Sequence, residues 1–342
     1  MLIDGIHVPL TTPFYRDGRS YLRKLEHNVG RYSLTPATGF VALPPGESED
    51  LSDAEVVETL AAVSGFAAPE KVLIAGISRG SLHGALWLAD EAAKAGFDAL
   101  LVAPPVGALS DAEALLYFRA VADAAELPVM LYSDGDLSVE QVAELAGHAN
   151  VIGLYDAALT VERFAAISAA TSGVRRDVSV TTVFGAVTRR MKAPAAATGA
   201  ATFVSAESLG GGTALAVAPP VAAVKTRTKA VGFQVMAAGA SSGLVELLDA
   251  GVAGAMPRLA ACAPQGVHEV YAAFKDGDRA LSAEKAERLV AADALMEELG
   301  IAGIKFACDL NGYYGGMPRL PRMPLKVEDR ERVEQVMGGL RN

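Results

Sequence analysis

Short apolar runs recur at a near-regular interval through the first half of this chain, and that recurrence is the strongest constraint on its fold. They fall at residues 6–10, 39–43, 72–75, 99–103, 129–132 and 151–154. Each is bounded by turn-forming residues and apolar at successive positions, the pattern of a strand buried on both faces. Longer stretches with helical spacing lie between them, at 53–66, 81–95, 111–125 and 138–146. Strands repeating roughly every 25 to 35 residues, with a periodic stretch between, read as βαβ units with right-handed crossovers. Two further strands are placed at 232–237 and 252–256, and helical stretches at 160–170, 264–274 and 282–299. Eight strand–helix repeats predict an α/β fold, a (β/α)8 TIM barrel rather than a doubly wound sheet. Ser52 with Glu55 three positions on, Ser138, and Ser282 with Lys285 read as helix N-caps.

One segment does not belong to a minimal barrel. The organisation reads as barrel units one to six over 1–172, an insert over 173–230, strands seven and eight over 231–262, and a C-terminal helical extension over 263–342. The insert is rich in Ala, Val, Thr and Gly and has a basic excess carried by Arg175, Arg176, Arg189, Arg190, Lys192, Lys225, Arg227 and Lys229. Runs at 178–182 and 201–205 suit short strands. The insert leaves a helix and re-enters a strand, so it emerges on the face opposite the usual site of a barrel, and an assembly arm or packing subdomain is expected. The glycine run Gly210, Gly211, Gly212 lacks the Gly-Lys-Ser/Thr of a phosphate loop.

Charge and composition narrow the function. Asp plus Glu number 40 against 30 for Lys plus Arg, a net charge of −10. An acidic chain without a basic block is a poor partner for nucleic acid or an anionic membrane surface. The only cysteines are Cys262 and Cys308, so no disulfide framework is expected and a reducing cytosol fits. No basic, then apolar leader opens the sequence, and no apolar run approaches the roughly 18 residues of a membrane span. His7, His27, His83, His148 and His268 show no ligand spacing, so neither a metal nor a cofactor is expected. A cytoplasmic globular protein that binds something small is the expectation.

Several stretches, in order, resemble the dihydrodipicolinate synthase and N-acetylneuraminate lyase family. They are Val8-Pro-Leu-Thr-Thr-Pro-Phe14 with Asp17-Gly18; Gly39-Phe-Val-Ala-Leu-Pro-Pro-Gly-Glu47; Leu127-Pro-Val-Met-Leu-Tyr132; Gly303-Ile-Lys305; and Gly312-Tyr-Tyr-Gly-Gly316 with Arg319-Leu-Pro321. The resemblance spans nearly the whole chain outside the insert. It implies a class I aldolase, in which a lysine at the end of the sixth strand forms a Schiff base with a 2-oxo acid and a fifth-strand tyrosine moves protons. It also implies a homo-oligomer, dimer or tetramer.

This sequence departs from that pattern where the chemistry lies. The sixth strand reads Asn150-Val-Ile-Gly-Leu-Tyr-Asp156, and Tyr155 stands at the position of the lysine. A phenol cannot form an imine. Pro44 and Pro45 replace paired threonines, removing two hydroxyls and two N–H donors. The family's substrate-binding arginine after Tyr132 is missing. Lys305 matches a family lysine remote from substrate and is no substitute nucleophile.

The candidate catalytic residues are therefore Tyr132 and Tyr155, the latter either a hydrogen-bond donor to ligand or a plug in the vacated pocket. Pro45, Gly46, Glu47 and Arg258 are the candidate substrate-binding residues, Arg258 because it follows the eighth strand, where barrels hold anions. The reading is a divergent lyase that binds or acts on a small oxo- or hydroxy-carboxylate without Schiff-base catalysis. The alternative is an inactive paralogue with a binding, scaffolding or regulatory role.

Overall fold

Apolar residues at successive positions give each strand two buried faces, and a parallel sheet closed on itself and ringed by helices satisfies both. The computed structural model, which describes residues 1–105, 110–192 and 224–340, has that form. In chain order the strands are β1 (Gly5–Pro9), β2 (Gly39–Ala42), β3 (Val72–Gly76), β4 (Ala99–Val102), β5 (Val129–Ser133), β6 (Val151–Asp156), β7 (Arg176–Thr181), β8 (Thr226–Val231), β9 (Gln234–Gly239) and β10 (Gly254–Pro257). All but β7 and β8 form one closed parallel barrel in the order β1-β2-β3-β4-β5-β6-β9-β10, returning to β1. The closing seam needs glycine: a Cβ on Gly254 would lie 2.0 Å from the carbonyl oxygen of Gly5.

The helices are α1 (Leu22–Ser33), α2 (Asp53–Phe66), α3 (Leu82–Lys94), α4 (Asp111–Ala124), α5 (Val139–Ala146), α6 (Val161–Ala170), α7 (Arg189–Lys192), α8 (Leu244–Ala250), α9 (Pro264–Lys275), α10 (Arg279–Glu287), α11 (Val290–Leu310) and α12 (Val327–Met337). The period of two along each strand divides the interior into two cores. Val41, Ile74, Leu101, Met130, Tyr155 and Met236 point into the barrel. Phe40, Leu73, Leu100, Val129 and Leu154 point outward and pack under the helices. Fully burying each such side chain contributes roughly 1.5–3 kcal/mol relative to exposure.

Helix starts follow local chemistry. Ser52 with Glu55 and Ser138 with Gln141 form reciprocal capping boxes, as does Ser110 with Glu113. The expected cap at Ser282 is corrected. Asp278 caps α10 by accepting from the Leu281 N–H, while Ser282 is buried inside that helix and donates to the Val270 carbonyl. The stretch read as one helix over 282–299 is divided between α10 and α11. α9 follows β10 and completes the ring of helices, leaving α10 to α12 as the extension.

Among the described residues of the insert, β7 and β8 pair antiparallel, with Arg176 opposite Val231 and Thr181 opposite Thr226. The expected strand at 201–205 and the glycines at 210–212 lie outside the described residues. Val178 and Val180 are buried with Leu2 and Ile3 beneath the barrel, closing its lower end. Two arginines here serve helix C-termini, whose last carbonyls lack intrahelical donors. Arg190 donates to the carbonyls of Ala67, at 2.7 Å, and Ala68, at 3.0 Å, just past α2. Arg176 donates to Ala146 and His148 at the end of α5, at 2.8 and 2.9 Å. Positive charge at that pole also complements the helix dipole.

Arg190→Ala removes those charge-assisted bonds and leaves buried carbonyls unmet, which costs about 2 kcal/mol. Lys192→Ala, at an exposed position two residues on, costs less than about 0.5 kcal/mol. Urea midpoints of the two variants check this; equal shifts would mean that the insert does not hold the lower face together.

Candidate active site

The strand C-termini converge on a cavity of about 370 Å³. Its wall takes Thr11 from the end of β1, Pro44, Pro45 and Gly46 from the loop after β2, Tyr132 from β5 and Arg258 from the end of β10. The C-terminal extension supplies the rest of the rim through Glu297, Gly300 and Ile304 of α11 and through Arg322. Helical geometry in α11 breaks at Gly300, with φ 59° and ψ −145°, a backbone conformation open to glycine. A second cavity, of about 380 Å³, adjoins the first and shares Pro45, Tyr132 and Asp134 with it. Tyr132 therefore stands on the wall between two spaces.

The loop after β2 is held in an unusual shape. Leu43 has φ 54°, a left-handed conformation that is uncommon for a non-glycine residue. The turn brings its carbonyl against β3, where a Cβ on Gly76 would lie 1.9 Å from that oxygen. From the other side, Arg322 donates to the Gly46 carbonyl at 3.1 Å and pairs with Asp50 at 2.8 Å. Arg319 donates to the Asp50 carbonyl at 2.6 Å and also pairs with Glu55. The Arg319 guanidinium holds the Glu55 carboxyl down at about 2. The extension thus straps this loop in place. The side chain of Glu47 lies outside the described residues.

Tyr132 and Tyr155 are register partners on adjacent strands, but their environments differ. Tyr132 is partly buried, and its phenol is pushed above its usual range by burial, then by the Asp134 charge, with Arg258 opposing. It is protonated at neutral pH. Tyr155 does not line the cavity; it is fully buried in the barrel, and its hydroxyl meets Nδ1 of His7, which projects from β1. Burial pushes the Tyr155 phenol up and drives the His7 imidazole down to about 3. Both are neutral, and fewer buried groups go unmet if the phenol donates to Nδ1 and the ring proton sits on Nε2. Nε2 has no partner among the described residues.

The next residue, Asp156, is also buried, and its carboxylate accepts from Arg163 Nε at 2.7 Å and from the Ala158 N–H at 3.0 Å. Arg258 is half exposed and donates to Glu297 at 3.1 Å, its one partner among the described residues. Lys305 lies away from the cavity, buried over the Phe14 ring, with its ammonium donating to the Thr12 carbonyl at 2.7 Å. No described lysine lines the cavity. The described residues contain no cluster of His, Cys, Asp or Glu able to hold a metal ion, and no described helix is long and apolar enough to cross a membrane.

Tyr132, Pro45, Gly46 and Arg258 were legible as candidates from sequence and line one cavity. Thr11, Glu297 and Arg322 were not. Thr11 lies within the quoted β1 motif, and Arg322 directly follows Arg319-Leu-Pro321, so position in those motifs was the available signal. His7 offered none, because its partner lies across the barrel.

A parallel barrel with its cavity at the strand C-termini and a helical extension over the rim is the architecture of many barrel enzymes. The sequence model of the dihydrodipicolinate synthetase family matches residues 2–208, and the chain belongs to that family. The 4-hydroxy-tetrahydrodipicolinate synthase of Acidiphilium cryptum is 28% identical over 350 aligned positions, covering 99% of both chains. That of Pseudoalteromonas atlantica is 32% identical over 169 positions, 47% of this chain and 58% of the relative's length. Among solved structures, the family's prophage protein YagE from E. coli K12, crystallised with pyruvate, superposes with a TM-score of 0.77 at 21% identity, covering 99% of each chain.

The His7–Tyr155 pair has a pH signature. Between about pH 6.5 and about pH 3 the unfolded chain binds a proton at His7 that the folded chain refuses, so stability falls as pH falls across that window. Unfolding free energies measured across the window in the native chain and in a His7→Leu/Tyr155→Phe double variant check this. The double variant loses that part of the slope, and an unchanged slope would show that His7 is not held neutral.

Proposed function

We propose that this protein binds a small oxo- or hydroxy-carboxylate in the upper cavity, as a lyase that works without a Schiff base. The observation that carries this reading is a cavity lined by Arg258, Tyr132 and Thr11 and by no described lysine. Arg258 presents a planar fork of N–H donors suited to a carboxylate. Tyr132, kept protonated by burial and by Asp134, donates a proton to a carbonyl or leaving hydroxyl oxygen. Pro45 and Gly46 shape the wall between these groups, and Glu47 belongs to the same loop. Tyr155 serves as a plug that fills the barrel below the cavity, its hydroxyl satisfied by His7. The bond cleaved is carbon–carbon or carbon–oxygen.

The second reading is a paralogue that binds the same ligand and turns nothing over. Burial of Tyr155 at the family's lysine position favours it. For either reading we infer a cytoplasmic homo-oligomer: both cysteines are free and buried, and Leu116, Leu320 and Met323 expose apolar surface suited to contact between copies.

Borohydride trapping with pyruvate and related 2-oxo acids, read by intact mass, yields no lysine adduct on either reading, whereas an adduct would overturn both. Calorimetry detects binding of a small carboxylate, weakened about tenfold or more by Arg258→Ala. Tyr132→Phe separates the two readings. It lowers turnover by about 10²-fold or more in the enzyme, and the paralogue shows no turnover to lose.

A further inference from the structure

The cavity carries a second cation that the reading above leaves unused. Arg322 comes from the extension and lines the same space as Arg258. Its Nε pairs with Asp50 and one Nη donates to the Gly46 carbonyl, and among the described residues its other Nη has no partner. Strand order fixes where the two guanidiniums are held. β10 and β2 flank β1, so the loop that seats Arg322 begins about 10 Å from the strand end that carries Arg258, at about 4.8 Å per strand spacing.

Between them, at the end of β1, sits Thr11. It lines the cavity and is 8% exposed, and its buried hydroxyl has no partner among the described residues. The acidic residues of the wall sort ligands as well. Glu297 neutralises Arg258 but is more than half exposed, so it yields to an incoming carboxylate at little cost. Asp134, beside Tyr132, repels carboxylates from that wall and directs them towards the arginines.

We infer that the ligand is a dianion, a 2-oxo or 2-hydroxy dicarboxylic acid, with one carboxylate on Arg258 and the other on Arg322. The inference rests on the proposed carboxylate site and specifies what fills it.

A matched pair of probes tests it by calorimetry on the full chain: 2-oxoglutarate, a dianion, and 2-oxovalerate, a monoanion of the same chain length. 2-Oxoglutarate binds about tenfold or more tightly in the native chain, as expected for one further charge-assisted contact. Arg322→Gln reduces 2-oxoglutarate to the affinity of 2-oxovalerate and leaves 2-oxovalerate unchanged, whereas Arg258→Gln weakens both. The comparison within the native chain does not depend on any variant folding. Equal affinities there overturn the dianion inference and leave the carboxylate reading standing, as does an Arg322→Gln variant that loses both acids alike. Binding of neither acid overturns both.

Discussion

Closure of the sheet is the constraint from which the other features follow. A closed parallel barrel has no free edge, and each of its strands is apolar on both faces because helices cover one side and the barrel interior the other. The interior is therefore a packed core rather than a channel, and any chemistry is displaced to the ends of the strands. At the lower end, Val178 and Val180 complete the packing. At the upper end, the side chains stop short and a cavity remains. Whatever the chain does with a small molecule depends on which residues happen to stand where the strands end.

The sixth strand shows how far one position can move that boundary. A lysine at residue 155 would need solvent or a ligand for its ammonium, because a buried unpaired charge is expensive. Tyr155 is apolar enough to be fully buried and needs a single partner for its hydroxyl, which His7 supplies from β1. The pair is neutral, so no charge is enclosed. Tyr155 is thus part of the core, and Tyr132, Thr11, Arg258 and Arg322 line the cavity at the strand ends. A phenol at residue 155 forms no imine, and the cavity stays open without it.

Much of the fold was legible because strand and helix periods are local. Every predicted barrel strand overlaps an observed one to within a few residues. Helices that begin with a strong cap, such as α2 at Ser52 and α5 at Ser138, were placed closely. α1 and α8 were missed for the same reason in reverse: neither Tyr21 nor Gly243 makes a side-chain cap. Ser282 was misassigned because a serine followed by a helical run looks alike whether it caps from outside or bonds from within. The long-range pairings were illegible. Arg190 ends on carbonyls after α2 more than a hundred residues earlier, and Arg322 on a loop still further back. Sequence displays the basic excess of the insert, but not that Arg176 and Arg190 of it end on helix C-termini.

The extension deserves to be counted as part of the site rather than an appendage. α11 breaks at Gly300, and Glu297 before the break and Ile304 after it both line the rim. Past α11, Arg319 and Arg322 engage the loop after β2 through backbone carbonyls as well as carboxylates. Bonds to carbonyls position a loop irrespective of its side chains, which suits a segment in which Pro44 and Pro45 leave few donors of their own. The guanidinium of Arg322 both fixes the loop and faces the ligand space, so ordering of the rim and recognition of an anion are coupled through one side chain. Pro44 and Pro45 bring neither a hydroxyl nor an N–H to the cavity wall, and the extension brings the guanidinium of Arg322 to the same space.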